Sequence, residues 1–188
     1  MRITSGILKG RKIIPPQVPG LRLTEEKVRK AIFDSLGDYI REKRLLELFA
    51  GSGSIGIEAF SRGASEVVFV DNNIYCINAI KKNIPPQLKE KSLILHYDSF
   101  DALDHLRNIG KKFDLIIMDP PYKNGLAVLI LKKICQSDIL SPNSLIVAEH
   151  HRDEILDDPS LSGLKLLSYK RYGASRLSFF VFSGVQIE

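Results

Sequence analysis

The chain has 188 residues, of which 44% are hydrophobic and 26% are charged, and this composition is typical of one globular domain. No apolar run approaches the roughly 20 residues of a membrane-spanning helix, and the first residues lack the apolar stretch of a secretory signal. The net charge is +5 but is unevenly distributed: residues 1–44 carry 11 basic and 5 acidic side chains, whereas residues 45–150 carry 11 and 12. A basic start of the chain is consistent with a polyanionic partner, or with a charged flank in solvent.

The cysteines and histidines are not spaced as metal ligands. Cys76 and Cys135 each stand alone in an apolar helical pattern, and no zinc spacing joins them to the four histidines. We therefore predict no metal site, and two reduced cysteines in the core of a cytoplasmic protein.

The first forty residues predict a short hairpin followed by a helix. Arg2–Ser5 and Arg11–Ile14 flank a glycine-containing turn. Thr24 is a candidate helix cap, and Glu25 and Glu26 suit the positive end of the helix dipole. This part of the chain is predicted to form a basic N-terminal extension.

From residue 44 onward, short apolar strands alternate with helices, and the tail predicts an antiparallel hairpin. Apolar strands joined by helices are typical of a parallel sheet covered on both faces. We expect one α/β domain over residues 1–188, with the extension at 1–40 and the core at 41–188. The predicted strands are Leu45–Leu48, Val67–Val70, Leu93–Tyr97, Leu115–Met118 and Ser144–Ala148, the helices are Ser54–Arg62, Ile74–Asn83, Phe100–Leu106 and Leu126–Cys135, and the hairpin is Leu164–Tyr172 with Arg176–Phe182.

Acidic residues stand in or directly after the first four predicted core strands. They are Glu47, Asp71, Asp98 and Asp119. A single acid at a strand end usually caps the following turn. Because open α/β sheets bind ligands at the carboxyl ends of their strands, four such acids favour a binding site.

The turn after the first core strand is rich in glycine. Gly51, Gly53 and Gly56 match G-x-G-x-x-G, and Asp71 follows Gly51 by 20 residues. This is a dinucleotide fingerprint. It supports NAD and S-adenosylmethionine equally, because each has a ribose whose hydroxyls can donate hydrogen bonds to an acid at the second strand.

The segment Asp119-Pro120-Pro121-Tyr122 favours methyl transfer over hydride transfer. Its prolines restrict the backbone, so that a carboxylate, a carbonyl and an aromatic ring are presented together. An exocyclic amino group that donates hydrogen bonds to Asp119 and to the Pro120 carbonyl would become more tetrahedral and a better nucleophile, while Tyr122 could stack on an extruded base. Such a reaction requires orientation and electrostatics but no metal. In isolation the same four residues could form a simple turn.

These motifs resemble those of the bacterial 16S ribosomal RNA guanine-N2 methyltransferases, the family that modifies guanine 966 of the small subunit. The similarity covers almost the whole chain, and Leu23 stands where the family commonly has proline. The matching segments are Arg2–Gly6, Lys9–Lys12, Leu21–Thr24, Lys27–Arg29 with Phe33, Leu46–Gly53, Asp119–Tyr122, Tyr172-Gly173 and Leu177–Phe179.

The resemblance implies a class I methyltransferase fold, which is a Rossmann-like α/β fold with seven mostly parallel strands and an antiparallel last strand. It also implies S-adenosylmethionine as cofactor, and 16S ribosomal RNA or a small-subunit assembly intermediate as partner. We expect a monomer. The implied catalytic residues are Asp119, Pro120, Pro121 and Tyr122. The implied donor-binding residues are Glu47, Phe49, Ala50, Gly51, Ser52, Gly53, Asp71, Asn72, Asp98 and Ser99. The candidate RNA contacts are Arg2, Lys9, Arg11, Lys12, Arg22, Arg29, Arg171 and Arg176.

Three other functions remain as alternatives at this point. An amino-methyltransferase acting on DNA adenine uses a similar Asp-Pro-Pro-Tyr segment, but such enzymes usually carry an added target-recognition region for which 188 residues leave little room. An NAD-dependent oxidoreductase would explain the glycine pattern, but no residue is an evident hydride-transfer acid. A non-catalytic RNA-binding module would leave the Asp119 segment unexplained.

Overall fold

Seven strands form one sheet in the computed structural model, which describes residues 1–19, 24–122, 125–156, 161 and 163–183. Their order across the sheet is β3-β2-β1-β4-β5-β7-β6. The first five strands run parallel, and β7 is antiparallel to both of its neighbours. The strands are β1 (Arg44–Leu48), β2 (Glu66–Asp71), β3 (Ser92–His96), β4 (Phe113–Met118), β5 (Leu140–His151), β6 (Leu164–Tyr172) and β7 (Ser175–Phe182).

Helices cover both faces of the sheet. One apolar cluster joins α1, α2 and α3 to one face, and a second joins α4 and α5 to the other. Within the described ranges, no helix is long and apolar enough to cross a membrane. The helices are α1 (Glu26–Leu36), α2 (Ser54–Ser61), α3 (Ile74–Asn83), α4 (Ser99–Asn108) and α5 (Leu126–Gln136), and short 3₁₀ segments span Gly37–Ile40 and Pro86–Lys91.

Alternating side chains explain why both faces are covered. Leu45 and Leu46 of β1 belong to opposite clusters, as do Phe179 and Phe180 of β7. A strand directs successive side chains to opposite faces, so strands that are apolar at every position require a cover on each side. The predicted α/β fold class is confirmed by this arrangement.

The fifth strand is longer than predicted. It continues past Ala148 through His151, where Glu149 pairs with Leu177 and His150 with Arg176 of β7. Glu149 and His150 are buried although they are polar. The pairing with β7 satisfies the backbone hydrogen bonds of these residues. The sequence did not predict this part of β5, because its side chains are polar and the strands were recognised as apolar runs.

The N-terminal extension (residues 1–40) is packed against α2 and α3. A bridge between Arg2 and Lys12 closes the predicted hairpin. The buried carboxylate of Glu58 on α2 accepts hydrogen bonds from the backbone N–H and hydroxyl of Thr4 at 2.8 and 2.7 Å. The side chain of Asn83 on α3 both accepts from and donates to the backbone of Ile14. The first part of the extension is therefore fixed to the core by specific hydrogen bonds.

Candidate active site

A cavity of about 390 Å³ opens at the carboxyl ends of β1, β2 and β4, where an α/β sheet is expected to bind its ligand. Its volume suits a small organic ligand. We call its two sides the glycine-loop wall and the Asp119 wall. The glycine-loop wall consists of Phe49, Ala50, Gly51, Ser52, Ser54, Asp71, Asn72 and Asn73, and the Asp119 wall consists of Thr24, Asp119, Pro120, Pro121 and Tyr122.

The glycine-loop wall is organised around the carboxylate of Asp71. One carboxylate oxygen accepts from the Gly51 N–H at 2.8 Å and the other from the Asn73 N–H at 2.9 Å. Gly51 and Gly53 have φ values of +55° and +73°, a region that favours glycine. A carboxylate offers about four acceptor positions, so Asp71 retains capacity for hydroxyl donors of a ligand. This wall therefore fits a ligand that carries a ribose.

A buried amide connects the glycine loop to the N-terminal extension. The Asn83 side chain donates to the Ser52 carbonyl at 3.0 Å and to the Ile14 carbonyl at 2.8 Å. Sequence reasoning missed this residue, because an asparagine in the last turn of a helix is ordinarily exposed. Asn83 holds the loop and the extension in one arrangement.

The Asp119 wall is held by side chains from distant parts of the chain. Thr24, just before α1, donates to Asp119 Oδ2 at 3.1 Å. The Tyr122 hydroxyl hydrogen-bonds the Ser175 hydroxyl at 2.7 Å and donates to Glu149 Oε1 at 3.4 Å. The His151 ring stands edge-on to the Tyr122 ring at 5.6 Å. Strands β5 and β7 thus set the position of the aromatic ring.

Thr24 has a different role from the one expected. The N-cap of α1 is Glu25, whose side chain makes no capping hydrogen bond. The prediction that Thr24 caps the helix is therefore wrong, because its hydroxyl is directed to Asp119. A threonine immediately before a helix is typical of a cap, and nothing in the sequence indicates the alternative.

Most of the predicted donor-binding residues line the cavity, but Glu47 does not. Its side chain is only 2% exposed and accepts a hydrogen bond from the Gly56 N–H at 2.9 Å. Burial raises the pKa of Glu47 to about 8. The resemblance implies that Glu47 faces the donor, whereas the structure directs its carboxyl group to the first turn of α2. Gly53, whose N–H donates to Ala50, is also absent from the lining.

The predicted residues after β3 lie outside the cavity lining. Asp98 is exposed and caps α4 by accepting from the Phe100 N–H at 2.9 Å, and Ser99 is buried. Their contact with a donor stays a prediction.

Within the described residues, no group of three or more histidine, cysteine, aspartate or glutamate side chains could hold a metal ion.

The candidate RNA contacts fall into different environments. Arg176 is partly buried with its guanidinium 4.7 Å from the centre of the Tyr169 ring. Arg22 lies outside the described residues. The exposed candidates, for which RNA contact stays a prediction, are Arg2, Lys9, Arg11, Lys12 and Arg171.

The prediction that Arg29 contacts RNA is wrong. Its side chain is 0% exposed, donates to the Arg2 carbonyl and pairs with Glu58 at 3.5 Å. Arg29 shares a helical face with Phe33 and Leu36, both of which are buried, and this spacing could have revealed its burial. Its charge is used inside the protein to hold α1 against α2.

The comparisons with known proteins agree with this geometry. The family model described as conserved hypothetical protein 95 matches residues 1–181. The chain belongs to this family. Ribosomal RNA small subunit methyltransferase D of Haemophilus influenzae is 36% identical to the chain over 162 residues, which cover 85% of this chain and 83% of that protein.

Two solved structures share the fold. A protein provisionally named methyltransferase yhhF, from Escherichia coli, has a TM-score of 0.82 at 24% identity, over 97% of each chain. SMU.776, also provisionally named a methyltransferase and solved in complex with SAH, has a TM-score of 0.62 at 18% identity, over 86% of this chain and 50% of its own. The family and the methyltransferase fold predicted from the sequence are confirmed.

Proposed function

We propose that the protein transfers a methyl group from S-adenosylmethionine to the exocyclic N2 of a guanine in 16S ribosomal RNA, with guanine 966 as the target. One observation carries the proposal. Asp119 and Pro120 line the same cavity as a glycine loop that is tied to Asp71. A donor bound on one wall and an amino group held on the other would meet inside the cavity.

The glycine-loop wall suits the donor. S-adenosylmethionine, when bound, supplies an activated methyl group on its sulfonium. Asp71 has acceptor capacity for the ribose hydroxyls, and the loop at Gly51 leaves room for a close approach of the ligand to the backbone. The SAH held by SMU.776, a protein of the same fold, supports this choice of ligand.

The Asp119 wall suits an amino group attached to a base. The lone pair of such a nitrogen is delocalised into the ring, which makes it a weak nucleophile. Asp119 and the Pro120 carbonyl would accept hydrogen bonds from its two N–H groups and favour a tetrahedral nitrogen, and Tyr122 would stack on the extruded base. The hydrogen bonds from Tyr122 to β5 and β7 hold the ring in advance.

Ribosomal RNA is favoured as substrate over DNA. The Haemophilus influenzae relative is named a ribosomal RNA small subunit methyltransferase. The extension presents Arg2, Lys9, Arg11 and Lys12 to solvent, and these cations suit a phosphate backbone. We further propose that the protein acts as a monomer in the cytoplasm, on 16S RNA or on an assembly intermediate.

A methylation assay on defined RNA tests the proposal. The protein is incubated with methyl-labelled S-adenosylmethionine and either 16S RNA, partially assembled small subunits or complete subunits, and the modified nucleotide is mapped by mass spectrometry. We expect N2-methylguanine at one position. A 16S RNA with adenine in place of guanine 966 is the matched control and should take up no label. Methylation of adenine in DNA, or binding of NAD in preference to S-adenosylhomocysteine, would contradict the proposal.

A further inference from the structure

We infer that Thr24 is a positioning residue for Asp119, through which the N-terminal extension completes the acceptor side of the site. The inference rests on the role proposed for Asp119. The Thr24 hydroxyl lies 3.1 Å from Asp119 Oδ2, although the two residues are 95 positions apart. Both residues line the cavity. Residues beyond the Asp119 segment itself therefore determine its geometry.

The hydrogen bond acts on the orientation of the carboxylate. An ionised carboxylate only accepts, so the threonine hydroxyl is the donor. The terminal torsion of an aspartate is broad and has no sharply preferred angle, so a carboxylate at a site needs an outside contact to define its direction. The hydroxyl of Thr24 restricts this rotation. The two oxygens are then held in one direction before the amino group arrives, which lowers the barrier to reaction without tightening substrate binding.

The position of Thr24 is itself held from a distance. Arg29, on the second turn of α1, is buried against Glu58 of α2 and donates to the Arg2 carbonyl. These contacts place the start of α1 relative to the core. The N-cap residue of α1 is Glu25, and the Thr24 hydroxyl is directed to Asp119. We therefore assign to the Thr24 hydroxyl the role of a hydrogen-bond donor to Asp119.

Two variants test the inference. Thr24→Val removes the hydroxyl with little change of shape, and Thr24→Ser retains it. We expect kcat of Thr24→Val to fall roughly 10-fold, as for the loss of one hydrogen bond to a charged acceptor, while KM for the RNA and for S-adenosylmethionine stays close to wild type. Thr24→Ser should recover most of kcat. Ser35→Ala serves as control, because it removes an exposed hydroxyl of α1 that donates to the Ala31 carbonyl and accepts from Lys170, and that does not line the cavity.

The outcomes separate this inference from the proposed function. An unchanged kcat in Thr24→Val overturns the inference, as does a change confined to KM. Equal losses in Thr24→Val and Thr24→Ser also overturn it, because the hydroxyl would not be the relevant group. Asp119→Ala is measured alongside. If that variant is fully active, the proposed role of Asp119 fails. If it is inactive while Thr24→Val is normal, only the inference about Thr24 fails.

Discussion

The two walls of the cavity are built in different ways. The glycine-loop wall is held mainly by hydrogen bonds over short sequence distances: the Asp71 carboxylate accepts from Gly51, 20 residues away, and from the Asn73 N–H, and the Asn83 amide supports Ser52. The Asp119 wall is held by side chains from distant elements. Thr24 meets Asp119 across 95 residues, and Tyr122 meets Ser175 across 53.

This difference has a physical consequence for substitution. The glycine-loop wall depends on glycines and on two side chains, the Asp71 carboxylate and the Asn83 amide, so few side chains can change it. A wall held by side chains depends on the docking of α1, β5 and β7, and changes in those elements reach the site. The donor side should therefore respond in binding affinity, and the acceptor side in turnover.

The largest effect is expected on the acceptor side. Asp119→Ala removes the carboxylate proposed to hold the amino group, and kcat should fall roughly 100- to 1,000-fold, as for loss of a preorganised electrostatic contact. Binding of S-adenosylhomocysteine, measured by calorimetry, should stay close to wild type. Asp38→Ala removes an exposed carboxylate and is the control. If Asp119→Ala lost binding of S-adenosylhomocysteine, the assignment of donor binding to the glycine-loop wall and of turnover to the Asp119 wall would be wrong.

The next effect belongs to the donor side. Asp71→Ala removes the acceptor of two backbone hydrogen bonds and of the proposed ribose contact. Hydrogen bonds to a charged group contribute about 1.5–3 kcal/mol each, so affinity for S-adenosylhomocysteine should fall roughly 10- to 100-fold. At saturating donor, kcat should fall much less. A loss of kcat with unchanged affinity for S-adenosylhomocysteine would contradict the proposed role of Asp71 in donor binding.

A smaller effect is expected from the contact between Tyr122 and Ser175. Tyr122→Phe and Ser175→Ala each remove one side of the same hydrogen bond, so both should lower kcat/KM for RNA by roughly 2- to 10-fold. Tyr122→Ala also removes the ring and should cost about a further 1–3 kcal/mol if the ring stacks on a base. Equal activity of Tyr122→Ala and Tyr122→Phe would show that the ring does not stack.

The smallest effect concerns the basic surface of the extension. Replacing Arg11 and Lys12 by glutamate should weaken RNA binding, and the negative slope of log affinity against log salt should become less steep by about 1–2. Lys89→Glu with Lys91→Glu is the control, because it reverses two exposed cations just before β3, at the end of the sheet away from the cavity. A salt slope unchanged from wild type in the Arg11 and Lys12 variant would place these residues outside the RNA interface.

The core was predictable from sequence because its patterns are local. The sequence predicts helix α3 with its observed bounds, Ile74–Asn83. For the strands other than β5, the predicted last residue lies within one residue of the observed one, although β4 begins two residues earlier than predicted. Apolar runs, glycines and the Asp119 segment each report on backbone geometry nearby in the chain. The walls of the cavity could thus be predicted from the motifs, since consecutive parallel strands end at the same edge.

The errors concern polar side chains whose partners are distant. The sequence predicts a helix cap at Thr24 and an RNA contact at Arg29, and the structure contradicts both; the Glu47 carboxyl group is directed to the backbone of α2. Each satisfies its charge or hydrogen bonds with a group supplied by another segment or by the backbone. A residue type and its spacing do not identify such a partner, because a buried polar group is stabilised by whichever group the fold brings next to it.

The sequence by itself determined the succession of strands and helices along the chain, the position of the glycine loop and which acidic residues stand at the strand ends. These features follow from local periodicity and backbone preference. Only the tertiary structure decided which polar side chains meet: Thr24 with Asp119, Tyr122 with Ser175, and Arg29 with Glu58. The physical reason is that hydrogen bonds and ion pairs require distances of a few ångströms, and these are set by packing of the whole sheet and its helices.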